Sequence, residues 1–250
     1  MRHVFKIASI WAAVMLCLSC ESKIDQLNDA VPEVSETPRK GWFPLAKESQ
    51  ASRIFLDETD FAVVKTAARL LSDDVEYVAG IRPEIRNMEC WSETDGFPAV
   101  IAGTVGHSRL IDDMVERGVI DVSAIRGKWE SYMISTVKLP QESAPVLVVA
   151  GSDRRGTAYG LISISEAIGV SPWYWWADVT PQTRKALYLE PGCYIQGEPS
   201  VQYRGIFIND ERFGGWSRWA EQTFDKESGK VGPKTYQKVF ELLLRLKGNL

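Results

Sequence analysis

The pattern of apolar and polar positions divides the chain into an N-terminal apolar run, a stretch without period, and a long region of alternating strands and helices. Residues 7–18 are predominantly apolar behind Arg2, His3 and Lys6, the length and flank of a secretory signal rather than a membrane span. Residues 21–44 are rich in Glu, Ser, Pro and Lys with no sustained period, which predicts a flexible tether. Thereafter Arg53–Leu56 reads as a short strand, and Phe61, Val64, Ala68 and Leu71 recur at helical spacing behind the N-cap candidates Asp57, Thr59 and Asp60. Residues 84–86 suggest another short strand. Residues 98–103 and 145–150 are fully apolar and predict buried strands, while 131–139 alternates as a strand with one wetter face does. Helices are predicted at Arg109–Glu116 and at 155–168, the second stopped by Gly169. Strands alternating with helices imply one mixed sheet covered by helices, an α/β domain over residues 45–196.

Near the C-terminus the pattern changes scale. Residues 201–208 carry Val201, Tyr203, Ile206, Phe207 and Ile208 and predict a strand, which stops abruptly at Asn209, Asp210 and Glu211. A helical stretch follows at 235–247, so strand, loop and helix make one β/α unit. Polar side chains at the carboxyl end of a buried strand are where barrel and open α/β enzymes place their chemistry. The same three residue types favour turns and helix starts, so spacing alone leaves both readings open. Trp216 and Trp219, on the following stretch, are flat enough to stack on a sugar ring and equally suited to packing the loop.

Composition narrows the function classes. The chain has 250 residues and a net charge of −4, with no Lys/Arg-rich stretch to line a groove, which argues against a nucleic-acid partner. Leu18, Ser19 and Cys20 resemble a bacterial lipobox, with Cys17 where that motif usually has Leu; residues 1–20 are therefore expected to be a lipoprotein signal peptide acylated at Cys20, with plain secretion and nearby cleavage as the alternative. The remaining cysteines, Cys90 and Cys193, allow one bridge but no disulfide framework. Without a C-x-x-C pair and with only His3 and His107, neither a metal site nor a cofactor is expected. The loop from Gly103 to Ser108 lacks a phosphate-cradle pattern, so Ser108 is expected to cap a helix. In the loop after the second apolar strand, Arg154 or Arg155 could hold a carboxylate, but Asp153 as a cap, with the arginines paired to a neighbouring domain, is the simpler expectation.

Three long runs carry a family likeness. They are Gly151-Ser-Asp-Arg-Arg-Gly-Thr-Ala-Tyr-Gly160 followed by Ser163-Ile-Ser-Glu-Ala-Ile-Gly-Val-Ser-Pro-Trp-Tyr-Trp-Trp-Ala-Asp178, then Gly197-Glu-Pro-Ser-Val-Gln-Tyr-Arg-Gly-Ile-Phe-Ile-Asn-Asp-Glu211, then Gly232-Pro-Lys-Thr-Tyr-Gln-Lys-Val-Phe-Glu-Leu-Leu-Leu-Arg-Leu-Lys247. Together they resemble glycoside hydrolase family 115, the xylan α-1,2-glucuronidases. The resemblance implies an α/β fold in which the mixed-sheet domain is followed, over residues 197–250, by the first β/α unit of a TIM barrel. Seven further strands are then expected, making this chain an N-terminal fragment or the product of a truncated gene.

The resemblance also implies removal of glucuronic acid, often 4-O-methylated, from xylan or glucuronoxylan oligosaccharides with inversion. Asp210 is the expected catalytic residue, with the general acid beyond Leu250; Asn209, Glu211, Trp216 and Trp219 are expected to bind substrate. The expected partners are the glycan, the rest of the barrel and a membrane reached through the lipid, which places the protein in the periplasm or on the cell surface. A non-catalytic carbohydrate-binding surface lipoprotein and the remnant of an interrupted gene are the alternatives.

Overall fold

The two fully apolar segments become the centre of a six-stranded sheet. The computed structural model describes residues 31–89, 97–139, 145–208 and 215–250. Strands β1 (Val34–Ser35), β2 (Phe43–Lys47), β3 (Gln50–Ala51), β4 (Arg53–Leu56), β5 (Ile85–Asn87), β6 (Ala99–Thr104), β7 (Tyr132–Val137), β8 (Val146–Gly151), β9 (Ala186–Leu189) and β10 (Cys193–Gln196) form two sheets. The larger has the order β10-β7-β8-β6-β4-β5. Its strands β8, β6, β4 and β5 run parallel, and β7 and β10 are antiparallel additions on one side. The smaller, β1-β9-β2-β3, is antiparallel throughout.

Helices cover both faces of the larger sheet, which is why β6 and β8 read as unbroken apolar runs. On one face, Val100, Ala102, Leu147 and Val149 pack under α1 (Ala62–Ala79) and α3 (Arg154–Ala167), and Phe43, Leu45, Leu187 and Leu189 of the small sheet join the same core. On the other face Ala99, Ile101, Val146, Val148 and Ala150 pack against Leu110, Ile111 and Met114 of α2 (Arg109–Glu116). The two-residue period of a strand assigns these side chains to opposite cores. Gly156 lets α3 approach closely, because a Cβ there would lie 2.2 Å from the Ser131 carbonyl oxygen. Gly169, at φ +101, is in left-handed backbone just past the helix end, as expected.

Three expectations are corrected. The described part of the expected tether, residues 31–44, is structured: Val34 and Ser35 pair with Leu189 and Tyr188, and Phe43 is fully buried. The partner strand lies about 150 residues away, so no local period announces the pairing. Second, the N-cap position of α1 is Phe61, with no side-chain cap bond; Asp57 instead accepts from Thr59 and Arg109, and Asp60 from Phe61 N–H and Thr104. Third, residues 201–208 are not a ladder strand. Val201, Tyr203 and Phe207 are exposed, Phe207 at 91%, and among the described residues only Asn249 and Leu250 give this segment the backbone hydrogen bonds that a strand needs. Leu250 N–H donates to the Arg204 carbonyl at 3.1 Å and Ile206 N–H donates to the Leu250 carbonyl at 3.3 Å, the alternation of a parallel pair around Gly205 and Leu250.

Residues 31–250 form one compact unit, and the C-terminal helices α4 (Trp216–Phe224) and α5 (Pro233–Arg245) belong to it. Arg245, buried at the end of α5, makes a two-pronged contact with the buried Asp74 of α1, Nη1 to Oδ2 at 2.8 Å and Nη2 to Oδ1 at 2.9 Å. Its Nε reaches Glu241 Oε1 at 3.0 Å, and Glu241 also accepts from Lys238 and from the Tyr174 hydroxyl. Burial, and then the Glu241 carboxylate, push the Tyr174 phenol up to about 12. A planar guanidinium suits this site because each of its three nitrogens meets a carboxylate oxygen. Removing one partner strands a buried charge, so Arg245→Met should cost about 3–5 kcal/mol, and the pair Asp74→Leu with Arg245→Met should recover most of it. Urea unfolding of the wild type and the two variants checks this; equal losses in single and double variants would show that α5 is held by packing alone.

Candidate functional site

The first place to look is the carboxyl end of the parallel strands. Helix α1 leaves β4 over one face and α2 leaves β6 over the other, so a crevice opens between these neighbouring strands, the position where open α/β sheets bind ligands. Here the protein fills it with its own carboxylates. Asp57 Oδ2 accepts from Arg109 N–H at 2.7 Å, at the start of α2, and its Oδ1 accepts from the N–H and hydroxyl of Thr59, both at 2.8 Å. Asp60 takes Thr104 N–H at 2.9 Å and the Thr104 hydroxyl at 3.0 Å. His107 stacks on Phe61 with ring centroids 3.9 Å apart and reaches the Thr59 carbonyl. Ser108 caps α2 by accepting from Ile111 N–H, as expected.

The start of α3 is closed in the same way. Asp153 Oδ1 accepts from the N–H groups of Arg155 and Gly156, and Oδ2 from Glu130 N–H. Arg155 pairs with Glu130 at 3.2 Å, and Arg154 lies over the Phe61 ring. Helix N-termini attract anions; at α2 and α3 that attraction is satisfied internally.

The second place is aromatic. A cleft of about 300 Å³ is lined by Trp173 and Trp176 of the segment after α3, by Ile206, Phe207 and Ile208, by Trp216 of α4, and by Val239 and Leu242 of α5. Beside it Trp175, Trp176, Trp219 and Phe224 form a cluster with ring centroids 5.1–6.0 Å apart, and Lys238 lies over Trp175. These offset and edge-on arrangements are the favoured geometries for aromatic pairs. The chain running through the cleft is the one that leads directly into Asn209. Trp216 therefore lines the cleft and Trp219 packs beside it, 43% exposed. Asn209, Asp210, Glu211, Cys20 and Cys90 lie outside the described residues.

The cleft walls are predominantly apolar, so they can hold a ring face but offer no carboxylate or imidazole to move a proton. Among the described residues no three His, Cys, Asp or Glu side chains gather into a metal site, and no helix is long and apolar enough to cross a membrane. One further device joins α4 to α5. Asp225 ends α4 and holds the start of α5, accepting from the hydroxyl and N–H of Thr235 and from the N–H of Gly232 and Lys234. These bonds, the Thr235 hydroxyl first, keep its carboxyl below the ordinary range.

Sequence reasoning did not single out Trp173, Trp176, Glu130 or Arg204 for a site. The Trp-Tyr-Trp-Trp run was visible but no local signal says that it meets residues 206–208.

The sequence model for glycosyl hydrolase family 115 matches residues 196–250. A solved structure, that of BtGH115A, a family GH115 4-O-methyl-α-glucuronidase with specificity for decorated arabinogalactans, is similar over 82% of this chain at 38% identity and a TM-score of 0.68. The chain belongs to glycoside hydrolase family 115. It spans about a quarter of that relative's length, 25%. CpGH84D, at 12% identity and a TM-score of 0.44, is matched over 73% of this chain and 25% of its own. The GH20 β-N-acetylhexosaminidase of Streptomyces coelicolor A3(2), at 12% and 0.42, is matched over 81% and 33%. No curated protein matches the chain. The aromatic cleft of this family 115 chain thus joins all three runs that carry the family likeness, the one ending at Asp178, the one leading into Asn209 and the one from Gly232 to Lys247.

The internal closure of the α2 start makes a pH prediction. Burial alone would raise the Asp57 carboxyl, but the hydrogen bonds from Thr59 and from Arg109 N–H outweigh it and hold the group below its ordinary value. The unfolded chain then binds the proton more readily, so this stabilisation is present above about pH 4 and disappears as the pH falls through the folded value. Thermal unfolding between neutral pH and about pH 3 should therefore lose more stability in the wild type than in Asp57→Asn; parallel losses would exclude Asp57 as a source.

Proposed function

We propose that this chain is the N-terminal part of an exported glycoside hydrolase that removes glucuronic acid, or its 4-O-methyl ether, from a plant polysaccharide by inverting hydrolysis. The observation that carries the reading is the 38% identity to a family GH115 4-O-methyl-α-glucuronidase over 82% of this chain. The parallel pairing of Arg204–Ile206 with Leu250 across α5 supports the accompanying architecture, a β/α/β start of a TIM barrel in which residues 201–208 are the first strand and the chain around Leu250 enters the second. In the complete barrel residues 201–208 would gain the second neighbour they lack here.

In that architecture Asn209 and Asp210 stand at the carboxyl end of the first barrel strand, at the sugar-binding mouth. Inverting hydrolysis uses one carboxylic acid to protonate the glycosidic oxygen as its bond to the anomeric carbon breaks. A second carboxylate takes a proton from the water that attacks that carbon from the opposite face, the two standing about 6.5–9.5 Å apart. Asp210 belongs to this machinery, with Asn209 and Glu211 on sugar hydroxyls and Trp216 and Trp219 beside the ring; the general acid is supplied from beyond Leu250. The glycan is either a glucuronoxylan or an arabinogalactan carrying the same uronic acid, and Cys20 carries the lipid that keeps the enzyme at a membrane.

Release of uronic acid by the full-length protein, offered glucuronoxylan oligosaccharides and decorated arabinogalactan side by side, tests the activity and names the substrate. Asp210→Asn should lower kcat by about 100-fold or more with a smaller change in KM, the pattern of an interaction made in the transition state. Turnover within a few-fold of wild type would remove Asp210 from the machinery. The 250-residue chain alone should release none. Fatty-acid labelling of cells should be lost in Cys20→Ala, and equal label in both forms would exclude the anchor.

A further inference from the structure

The C-terminal segment touches the α/β domain at a second charged contact besides Arg245 and Asp74, and its geometry is unusual. Glu130 stands between α2 and β7 with only 2% of its surface exposed. Its backbone is left-handed, at φ +51, a strained conformation that residues other than Gly, Asn and Asp seldom take. Its N–H is held by Asp153 Oδ2, the same carboxylate that caps α3. Both oxygens are occupied: Oε1 accepts from Arg155 Nη1 at 3.2 Å and Asn249 Nδ2 at 2.9 Å, and Oε2 accepts from Arg204 Nη2.

Two of the side chains that bond Glu130 come from the two segments of the parallel pair. Arg204 lies on the first and Asn249 on the second, and they are bonded to each other as well. Arg204 N–H donates to Asn249 Oδ1 at 3.0 Å, and Asn249 N–H to the Arg204 carbonyl at 2.7 Å. Arg204 also spans the end of α5, its Nε and Nη2 reaching the Lys247 carbonyl at 3.1 and 2.7 Å. The Tyr159 hydroxyl of α3 donates to the Gly248 carbonyl at 2.9 Å, closing the same seam. A strained, buried carboxylate that bonds both Arg204 and Asn249, and is braced by Arg155, is better explained by what it holds in place than by what it adds to stability.

We infer that Glu130 is a positioning residue: it fixes the register of residues 204–206 against 249–250, and so sets where the chain delivers Asn209 and Asp210, five and six residues past Arg204. A one-residue slip there would exchange the half-buried Ile206 and Ile208 with the exposed Phe207 at the cleft. For the catalytic consequence this rests on the glucuronidase reading; for the register it does not.

Two measurements separate those parts. In hydrogen exchange on the 250-residue chain, Glu130→Ala should speed exchange at the amides of Ile206, Asn249 and Leu250 by about tenfold or more, with Glu130→Gln in between, while the amides of β6 and β8 keep their wild-type protection. Unchanged exchange at those three amides would overturn the inference, as would a uniform rise that includes β6 and β8, since that is plain loss of stability. In the full-length protein Glu130→Ala should lower kcat about tenfold with KM within threefold, because small displacements of a reacting group cost rate steeply, and Glu130→Gln should restore part of it. A kcat within twofold of wild type would overturn the catalytic consequence. Should Glu130→Ala not fold, Glu130→Gln and Arg204→Lys are read by the same criteria. If wild-type full-length protein releases no uronic acid, the glucuronidase reading fails and the exchange experiment still decides the register.

Discussion

A charge taken out of water must be matched where it comes to rest, and this requirement shapes the seam between the α/β domain and the C-terminal segment. Arg245 finds Asp74 and Glu241; Glu130 finds Arg155, Arg204 and Asn249. Apolar packing would let α5 slide or rotate by a fraction of a turn at little cost. Charged groups with fixed hydrogen-bond directions do not tolerate such movement, so they convert a greasy contact into a single register. The aromatic cleft inherits its shape from this, because three of its walls come from the C-terminal segment and the others from the run after α3.

The α/β domain was legible in the sequence wherever structure follows local period. Segments 98–103 and 145–150 announced buried parallel strands because both their faces are covered, and the helix at Arg109–Glu116 declared itself by Ser108 and its apolar stripe. What local period does not encode is partnership at a distance. Val34 and Ser35 are a strand because of Leu189 and Tyr188, and a two-residue strand has too few positions to show alternation. Asp57 sits where it would cap α1 and instead serves α2, whose first N–H is 52 residues away in the chain.

The candidate site was legible in one dimension only. The break from apolar residues 206–208 into Asn209, Asp210 and Glu211 drew attention to the end of that segment, but nothing in it points to Trp173 or Trp176. Glu130 is less legible still. In the sequence it is an acidic residue in a polar stretch, and only its left-handed backbone, burial and four partners set it apart.

One feature of the α/β domain bears on the kind of polymer the complete protein would meet. The N-termini of α2 and α3 are stoppered by Asp57 and Asp153, so the places where such a domain usually welcomes negative charge are already taken. A polysaccharide carrying uronic acids is a polyanion, and a domain with vacant anion sites would hold it at many unproductive points along its length. With those two sites closed, neither helix start offers a decoy. On the proposed reading, the grip on a sugar acid would then be concentrated away from these two helix starts.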